Sequence, residues 1–502
     1  MSKSSGIFLT GSTGLLGQYL LQDLLLALRE VTVLVRDAGN LNAKERVAQL
    51  IARCSERIGH KLPNPTVVVG DLNQKNLGLT STDKQWLGNH CKTIVHSAAS
   101  LSFQKTHAGE PWKTNVDGTR NLLDLSLQLG ISEWHYVSTA FVCGNQKGII
   151  FEDDRNKCQA FTNRYEETKF EAEQLLRNCT EIKATVYRPS VIVGNSRTGY
   201  TSTFNGIYPF WELVSRLATL NCKNKKGLLP LRIPLTGNEN WNLVPVDWVS
   251  KAIVELQAKK QLHGKTFHLV AKKTVSTRLI RDIGLNILGI HGVVFAGSNG
   301  INEPSDFEQI FLEGIQDYLP YLKGNPSFNS LNTYTALPFL PAPTVDREML
   351  KILINYGLAN RWGRGNRKGA RIIINETQDA FFSNYLENIF PQQVHQSQLA
   401  FRIGLDLSVC LKLNGESGGE WTCKWENGTL VHVVKGLDES AVVTFHTDTE
   451  NFRSIILGTQ SLQDAYCSKK IEIIGNLEVG LKLTFLLSQF LQETILENSN
   501  KP

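Results

Sequence analysis

RYEETK, residues 164–169, sets Tyr165 and Lys169 four positions apart, so on a helix they share one face. Thr168, Ala172, Leu175 and Leu176 supply the helical period around them. A free tyrosine titrates near about pH 10, and a neighbouring ammonium favours its phenolate, which suits the pair to acid/base work. The same spacing is also common as plain structure. Upstream, YVSTAFVCG (136–144) ends a strand-like run at Thr139. That hydroxyl could donate to a carbonyl oxygen or, as is usual at strand ends, bond to nearby backbone.

FLTGSTGLLGQYL (8–20) places three glycines at steps of three where a strand becomes a helix. Gly11, Gly14 and Gly17 permit a tight turn, close approach to a pyrophosphate, and close packing of helix on strand. The N–H groups of the helix start would face the anion, making Gly11, Ser12, Thr13, Gly14, Leu15, Leu16 and Gly17 a cofactor cradle; a structural turn is the plainer alternative. HSAAS (96–100) ends another strand-like run, with Ser97, Ala98 and Ala99 where a cofactor chain would pass. In GDL (70–72), Asp71, followed by Leu72, could accept from an adenine amino group.

The elements that must position these residues alternate. VTVLVR, PTVVVGDL, TIVHSAA, EWHYVSTA and KATVYRPS are strand-like and most are separated by helical stretches. The pattern predicts an α/β fold with a doubly wound parallel sheet, helices on both faces and a cofactor along the strands' carboxyl ends. Residues 194–285 are expected to form a lobe over the substrate, with Asp247 capping the helix in WNLVPVDWVSKAIVEL. The expected divisions are a dinucleotide-binding domain with its lobe at 1–285, a helical or irregular connection at 286–395, and a smaller α+β domain at 396–502. In the last, four strand-and-turn units precede TENFRSIILG and an apolar helix at 481–491.

At 502 residues and 41% hydrophobic content, the chain has enough apolar material for two or three folded domains. Its net charge of +6 is scattered apart from clusters at 222–226 and 361–371, which read as solvated loops, so no nucleic-acid partner is expected. The nine cysteines show no close metal-ligand pair, so no metal site is expected, and their odd number with no leader points to reduced thiols in the cytoplasm. The apolar runs at 20–28 and 481–491 are too short and interrupted to span a bilayer, leaving room for peripheral membrane contact.

TGSTGLLG, GDL, HSAA, NVDGT (115–119), VSTAFV, YEETK and RPS (188–190) occur in the order seen in extended short-chain dehydrogenase/reductases, which the chain resembles over about residues 6–285. The resemblance implies a Rossmann-type fold with catalytic Thr139, Tyr165 and Lys169, with Asn115 at the cofactor and Pro189 beside the nicotinamide. HSAASLSFQKTHAGEPWKTNVDGT, VSTAFVCGNQKGIIFEDD and VPVDWV make it more similar to fatty acyl reductases and carrier-protein thioester reductase domains than to sugar epimerases. The tail, 396–497, resembles sterol-carrier-protein-2-like domains, which enclose an apolar tunnel.

At the end of VLVRD, the position that commonly carries an acidic residue in NAD enzymes holds Arg36, so NADPH is the expected cofactor. Asp37 beside it argues the other way. The resemblance implies NADPH-dependent reduction of a fatty or polyketide acyl thioester, on coenzyme A or an acyl carrier protein, to an aldehyde, with further reduction to an alcohol left open. Two rivals stand beside it: a dehydrogenase or reductase of a steroid or other lipid ketone, and a lipid carrier whose dinucleotide fold is only a scaffold.

Overall fold

The computed structural model describes residues 6–38, 41–106, 108–154, 159–220, 227–363, 370–374, 381–396, 406–426, 429–457, 460, 462–477, 479–481, 483–484, 487 and 494–498. Cys158, Cys222, the basic cluster at 222–226, residues 364–369 of the second cluster and much of the apolar tail at 481–491 lie outside these.

β1 (Gly6–Thr10) and β2 (Val31–Val35) are unbroken runs of buried residues, as strands covered on both faces must be. They belong to one parallel sheet with β3 (Thr66–Val69), β4 (Cys91–His96), β5 (Glu133–Val137), β6 (Lys183–Pro189) and β7 (Thr266–Leu269), in the order β7-β6-β5-β4-β1-β2-β3. The order reverses between β1 and β4, and a ligand crevice is expected outside the strand ends at that point. Six of the strands follow the alternation in the sequence. The seventh, TFHL at β7, is buried throughout but is not among the runs that the sequence marked.

The covering helices have local reasons to start and stop. α1 (Leu15–Leu26) follows the glycine turn. α2 (Ala43–Ile58) opens on an Asn42/Glu45 capping box and ends at Gly59, whose φ of 77° is left-handed. α3 (Ser81–His90) is capped by Thr80, and α4 (Gly118–Gln128) continues a π-helical turn. α5 (Arg164–Arg177) is capped by the Asn163 side chain accepting from the Glu166 N–H.

The 194–285 stretch departs from the expected lobe. α6 (Val246–Ala258) shares the core of α1, with Ser250 Oγ donating to Asp23 Oδ2 at 2.6 Å, and β7 extends the main sheet. Asp247 does not cap α6; its carboxylate accepts from Ser196 N and Oγ at 2.8 and 2.7 Å, tying the chain after β6 to the helix.

The chain divides into two compact units: Met1–Pro209 with Leu235–Ile287 and Asp317–Ala359, and Phe210–Pro234 with Leu288–Gln316 and Asn360–Pro502. Residues 317–359 of the connection unassigned by sequence thus fold with the dinucleotide-binding sheet. The second unit carries a smaller mixed sheet of β8 (Leu407–Asn414), β9 (Gly419–Glu426), β10 (Thr429–Lys435), β11 (Val443–Asp448) and β12 (Ile471–Gly475), in the order β10-β9-β8-β11-β12. α7 (Thr449–Ile456) and α8 (Leu462–Cys467) pack on its apolar face, where Trp421, Trp425, Phe445 and Phe452 form the core.

Candidate active site

The turn between β1 and α1 is built on contacts that a side chain would destroy. A Cβ on Gly17 would lie 1.9 Å from the Gly11 oxygen, and one on Gly11, where φ is +76°, would meet Ala98 N at 2.5 Å. Gly14 differs: its nearest such neighbour is 3.4 Å away, and as N-cap of α1 it offers no side-chain cap. No acidic residue occupies the first turn of α1. The helix start therefore presents uncapped N–H groups over open space, which fits a pyrophosphate. Ser12 Oγ, buried in this turn, has no hydrogen-bond partner among the described residues. Leu15, Leu16, Ser97 and Ala99 line the same cleft, whereas Thr13 is exposed.

Other expected cofactor contacts fall differently. Leu72 is buried in the core beneath the sheet, and Ala98 packs partly against that core. The exposed Arg36 guanidinium stands 3.7 Å from Asp71 Oδ2, while Asp71 Oδ1 accepts from Asn73 N at 2.9 Å. Asn115 lies inside the fold: Oδ1 accepts from Ser100 N, and Nδ2 donates to Ser100 O and Thr168 Oγ1, at 2.8, 3.0 and 2.9 Å. Its amide fastens the loop after β4 to α5.

Thr139, Tyr165, Lys169 and Pro189 all line the cleft, whose volume is about 410 Å³. Thr139 Oγ1 accepts from Phe141 N at 3.3 Å, the local backbone bond that the sequence left open, and its own proton stays available to a ligand. Lys169 is buried, donates to Val137 O at 2.6 Å and lies 4.1 Å from the centroid of the Tyr136 ring. Burial pushes its ammonium down to about 7, with the Glu173 carboxylate opposing. Tyr165 runs against the expected direction. Burial, with Glu166 beside it, raises the phenol well above its ordinary value, so the hydroxyl is held as a proton donor.

Two buried groups stiffen this arrangement. Arg188 of β6 grips Glu173 of α5 with Nε to Oε1 at 3.0 Å and Nη2 to Oε2 at 2.8 Å. Burial alone would raise that carboxyl, but Arg188 and Arg177 hold it down at about 2. His96, pushed down to about 3 by burial and Lys169, bridges Thr10 and Thr119 as a neutral ring at 2.7 and 3.0 Å.

The far wall was not legible in the sequence. Tyr318 and Tyr321 join Phe103 and Phe141 to line the cleft. Phe103 lies with ring centroids 5.3 Å from Tyr318 and 5.7 Å from Tyr321, and Phe141 lies 5.1 Å from Tyr321. The Tyr321 hydroxyl donates to Glu166 Oε1 at 2.5 Å and accepts from Asn163 Nδ2 at 2.7 Å. Its only sequence signal was an aromatic-rich stretch of no clear period.

The second unit has a cavity of about 60 Å³ among Tyr385, Phe390, Trp425, Phe445, Phe452 and neighbouring aliphatic side chains. Burial pushes the Cys423 thiol on its wall up to about 12. No helix of the described residues is long and apolar enough to cross a membrane.

Residues 9–253 match the family model described as Male sterility protein, and residues 403–488 that of the SCP-2 sterol transfer family. The chain is 26% identical over 311 residues to nonribosomal peptide synthetase asaC of Aspergillus flavus, covering 58% of this chain and 29% of that protein. It is 28% identical over 280 residues to a linear gramicidin synthase of Brevibacillus parabrevis, covering 54% and 5%. The chain therefore spans less than a third of the length of either relative. Among solved structures, the terminal R domain from the myxalamid PKS-NRPS biosynthetic pathway matches with a TM-score of 0.58 and 25% identity, covering 73% of this chain and 93% of that one.

Proposed function

We infer, from a chain whose residues 9–253 form an extended short-chain dehydrogenase/reductase domain and whose residues 403–488 form a sterol-carrier-type domain, that the protein reduces an acyl thioester with NADPH. The observation that carries this reading is the convergence of the glycine cradle, Thr139, Tyr165 and Lys169 on one cleft with an aromatic far wall. The cradle residues fit a nicotinamide dinucleotide, which when bound supplies the two reducing electrons. Tyr165 and Thr139 donate to the thioester oxygen as negative charge develops there, so the hydroxyls stabilise the transition state more than the ground state. Lys169 holds its place by its bond to Val137 O and brings its amine into the same cleft, where its protonated form would favour negative charge on the reacting oxygen. Collapse of the hemithioacetal expels the thiol and leaves an aldehyde; a second reduction gives an alcohol.

Arg36, at the end of β2 with an exposed guanidinium, supports NADPH because it suits a ribose phosphate. The two named relatives, a nonribosomal peptide synthetase and a gramicidin synthase, support a carrier-tethered thioester as substrate. The apolar cavity of the second unit supports a role in holding a lipid chain, and the free cysteines support a cytoplasmic setting.

The test is incubation of the full chain with NADPH and either a long-chain acyl thioester or a steroid ketone, with product identification and Tyr165→Phe as control. Aldehyde or alcohol with free thiol, reduced about a hundredfold or more in Tyr165→Phe while dinucleotide binding persists, is the expected result. Ketone reduction alone would replace the thioester reading. Tight dinucleotide binding without turnover of either substrate would favour a carrier with a scaffolding fold.

A further inference from the structure

At the opposite end of β5 from Thr139, three metal-ligating side chains converge outside the cleft. Glu133 and His135 are two apart on β5 and so project from the same face, and His263 reaches them from the loop between α6 and β7. One ligand atom from each lies within 4.8 Å of the others. His135 Nε2 is 3.4 Å from Glu133 Oε1, and His263 Nδ1 is 3.8 Å from Glu133 Oε2. Bonds of about 2.1 Å in a tetrahedral zinc site imply ligand atoms about 3.4 Å apart, so small side-chain movements would close the set.

The hydrogen bonds behind these atoms point the same way. His263 Nε2 lies 2.9 Å from the Gln257 carbonyl oxygen, which can only accept, so this nitrogen carries the hydrogen. Nδ1 is thus the His263 nitrogen left facing the Glu133 carboxylate. His135 is fully buried, so its ring is fixed by the packing around it. Its other nitrogen is 2.8 Å from the Tyr187 hydroxyl, and Thr93 Oγ1 donates to Glu133 Oε1 at 2.9 Å. Each prospective ligand is therefore oriented from behind, as metal ligands commonly are.

We propose that Glu133, His135 and His263 form a structural site for a zinc-class divalent transition metal, with a fourth position open to solvent beside the partly exposed Glu133. Two imidazoles and a single carboxylate select this class over magnesium or calcium, which need more oxygen ligands. The six steps along the chain from Glu133 to Thr139 span about 20 Å, which separates the metal from the chemistry. Its effect is to clamp the start of β5 to the loop that leads into β7. The sequence concealed the site because the Glu133/His135 pair gains its third member, His263, only from 128 residues beyond His135.

The experiment is cobalt titration of the chelator-stripped full chain, read by ligand-field absorption, followed by zinc competition. One bound cobalt per chain without a thiolate charge-transfer band is expected, and His263→Gln and Glu133→Gln should each weaken binding by at least about tenfold. Zinc should raise the unfolding midpoint of the wild type but not of these variants. If either variant fails to fold, Thr93→Val, which removes only the hydroxyl behind Glu133, should still weaken cobalt binding severalfold. A stripped chain that takes up no cobalt, or equal affinity in wild type and variants, would overturn the site.

Discussion

The Tyr321 hydroxyl donates to Glu166 Oε1 at 2.5 Å, joining residues 155 apart in the chain. Glu166 directly follows Tyr165, and its Oε2 accepts from Thr162 N at 3.1 Å across the start of α5. The 317–359 segment thus both walls the cleft and steadies the turn that presents the phenol. Tyr321→Phe keeps the ring but removes the donor; kcat should fall about tenfold, equivalent to about 1.4 kcal/mol, with KM nearly unchanged. Tyr321→Ala, which also removes the wall, should raise KM for long-chain thioesters. Steady-state kinetics on both variants separate the two contributions, and a Phe variant that changes only KM would deny the positioning role.

Gly14 and Gly17 make a matched pair for the cradle. An alanine at Gly17 places Cβ 1.9 Å from the Gly11 oxygen and should destabilise the protein by about 1–3 kcal/mol. At Gly14, where φ is −77° and the nearest such neighbour is 3.4 Å away, alanine should fold normally yet weaken dinucleotide binding. Thermal unfolding and cofactor titration of the two variants check the contrast.

Lys169 carries a pH signature in stability. Its folded value of about 7 lies below the ordinary 10.5, so between these the unfolded chain binds the extra proton. The contribution of this group is full above about 10.5, declines as pH falls through the window, and is constant below about 7. Urea unfolding of wild type and Lys169→Met at both ends of the window should show the wild type gaining relative stability with rising pH, at up to about 1.4 kcal/mol per unit. A pH-independent difference would mean that Lys169 keeps its proton throughout.

Cofactor choice should turn on Arg36, whose guanidinium is exposed at the end of β2. Arg36→Glu should raise KM for NADPH about tenfold or more and leave NADH comparatively unaffected. Parallel changes for both cofactors would locate the discrimination elsewhere.

Local signals announced much of the architecture. Glycines at steps of three, strand-like runs separated by helical ones, and Tyr165 four residues before Lys169 depend on backbone geometry within a few residues, and the sheet follows them from β1 to β6. The tail's change to strand-and-turn units likewise marked the smaller sheet. β7, the loss of Asp247 as a cap and the division of 286–395 were not visible, because each depends on which distant surface a segment packs against.

For the site, the sequence by itself determined the chemical types: hydroxyl donors at Thr139 and Tyr165, an amine at Lys169 and a glycine turn able to approach an anion. Tertiary structure decided their state and company. It buried Lys169 and took Tyr165 partly out of solvent, so that desolvation, rather than helical spacing, sets their proton affinities. It turned Asn115 inward and brought Tyr321 and His263 to partners far away in the chain. Spacing along a helix or strand is encoded within a few residues, whereas burial and long-range pairing arise only when the whole chain has packed.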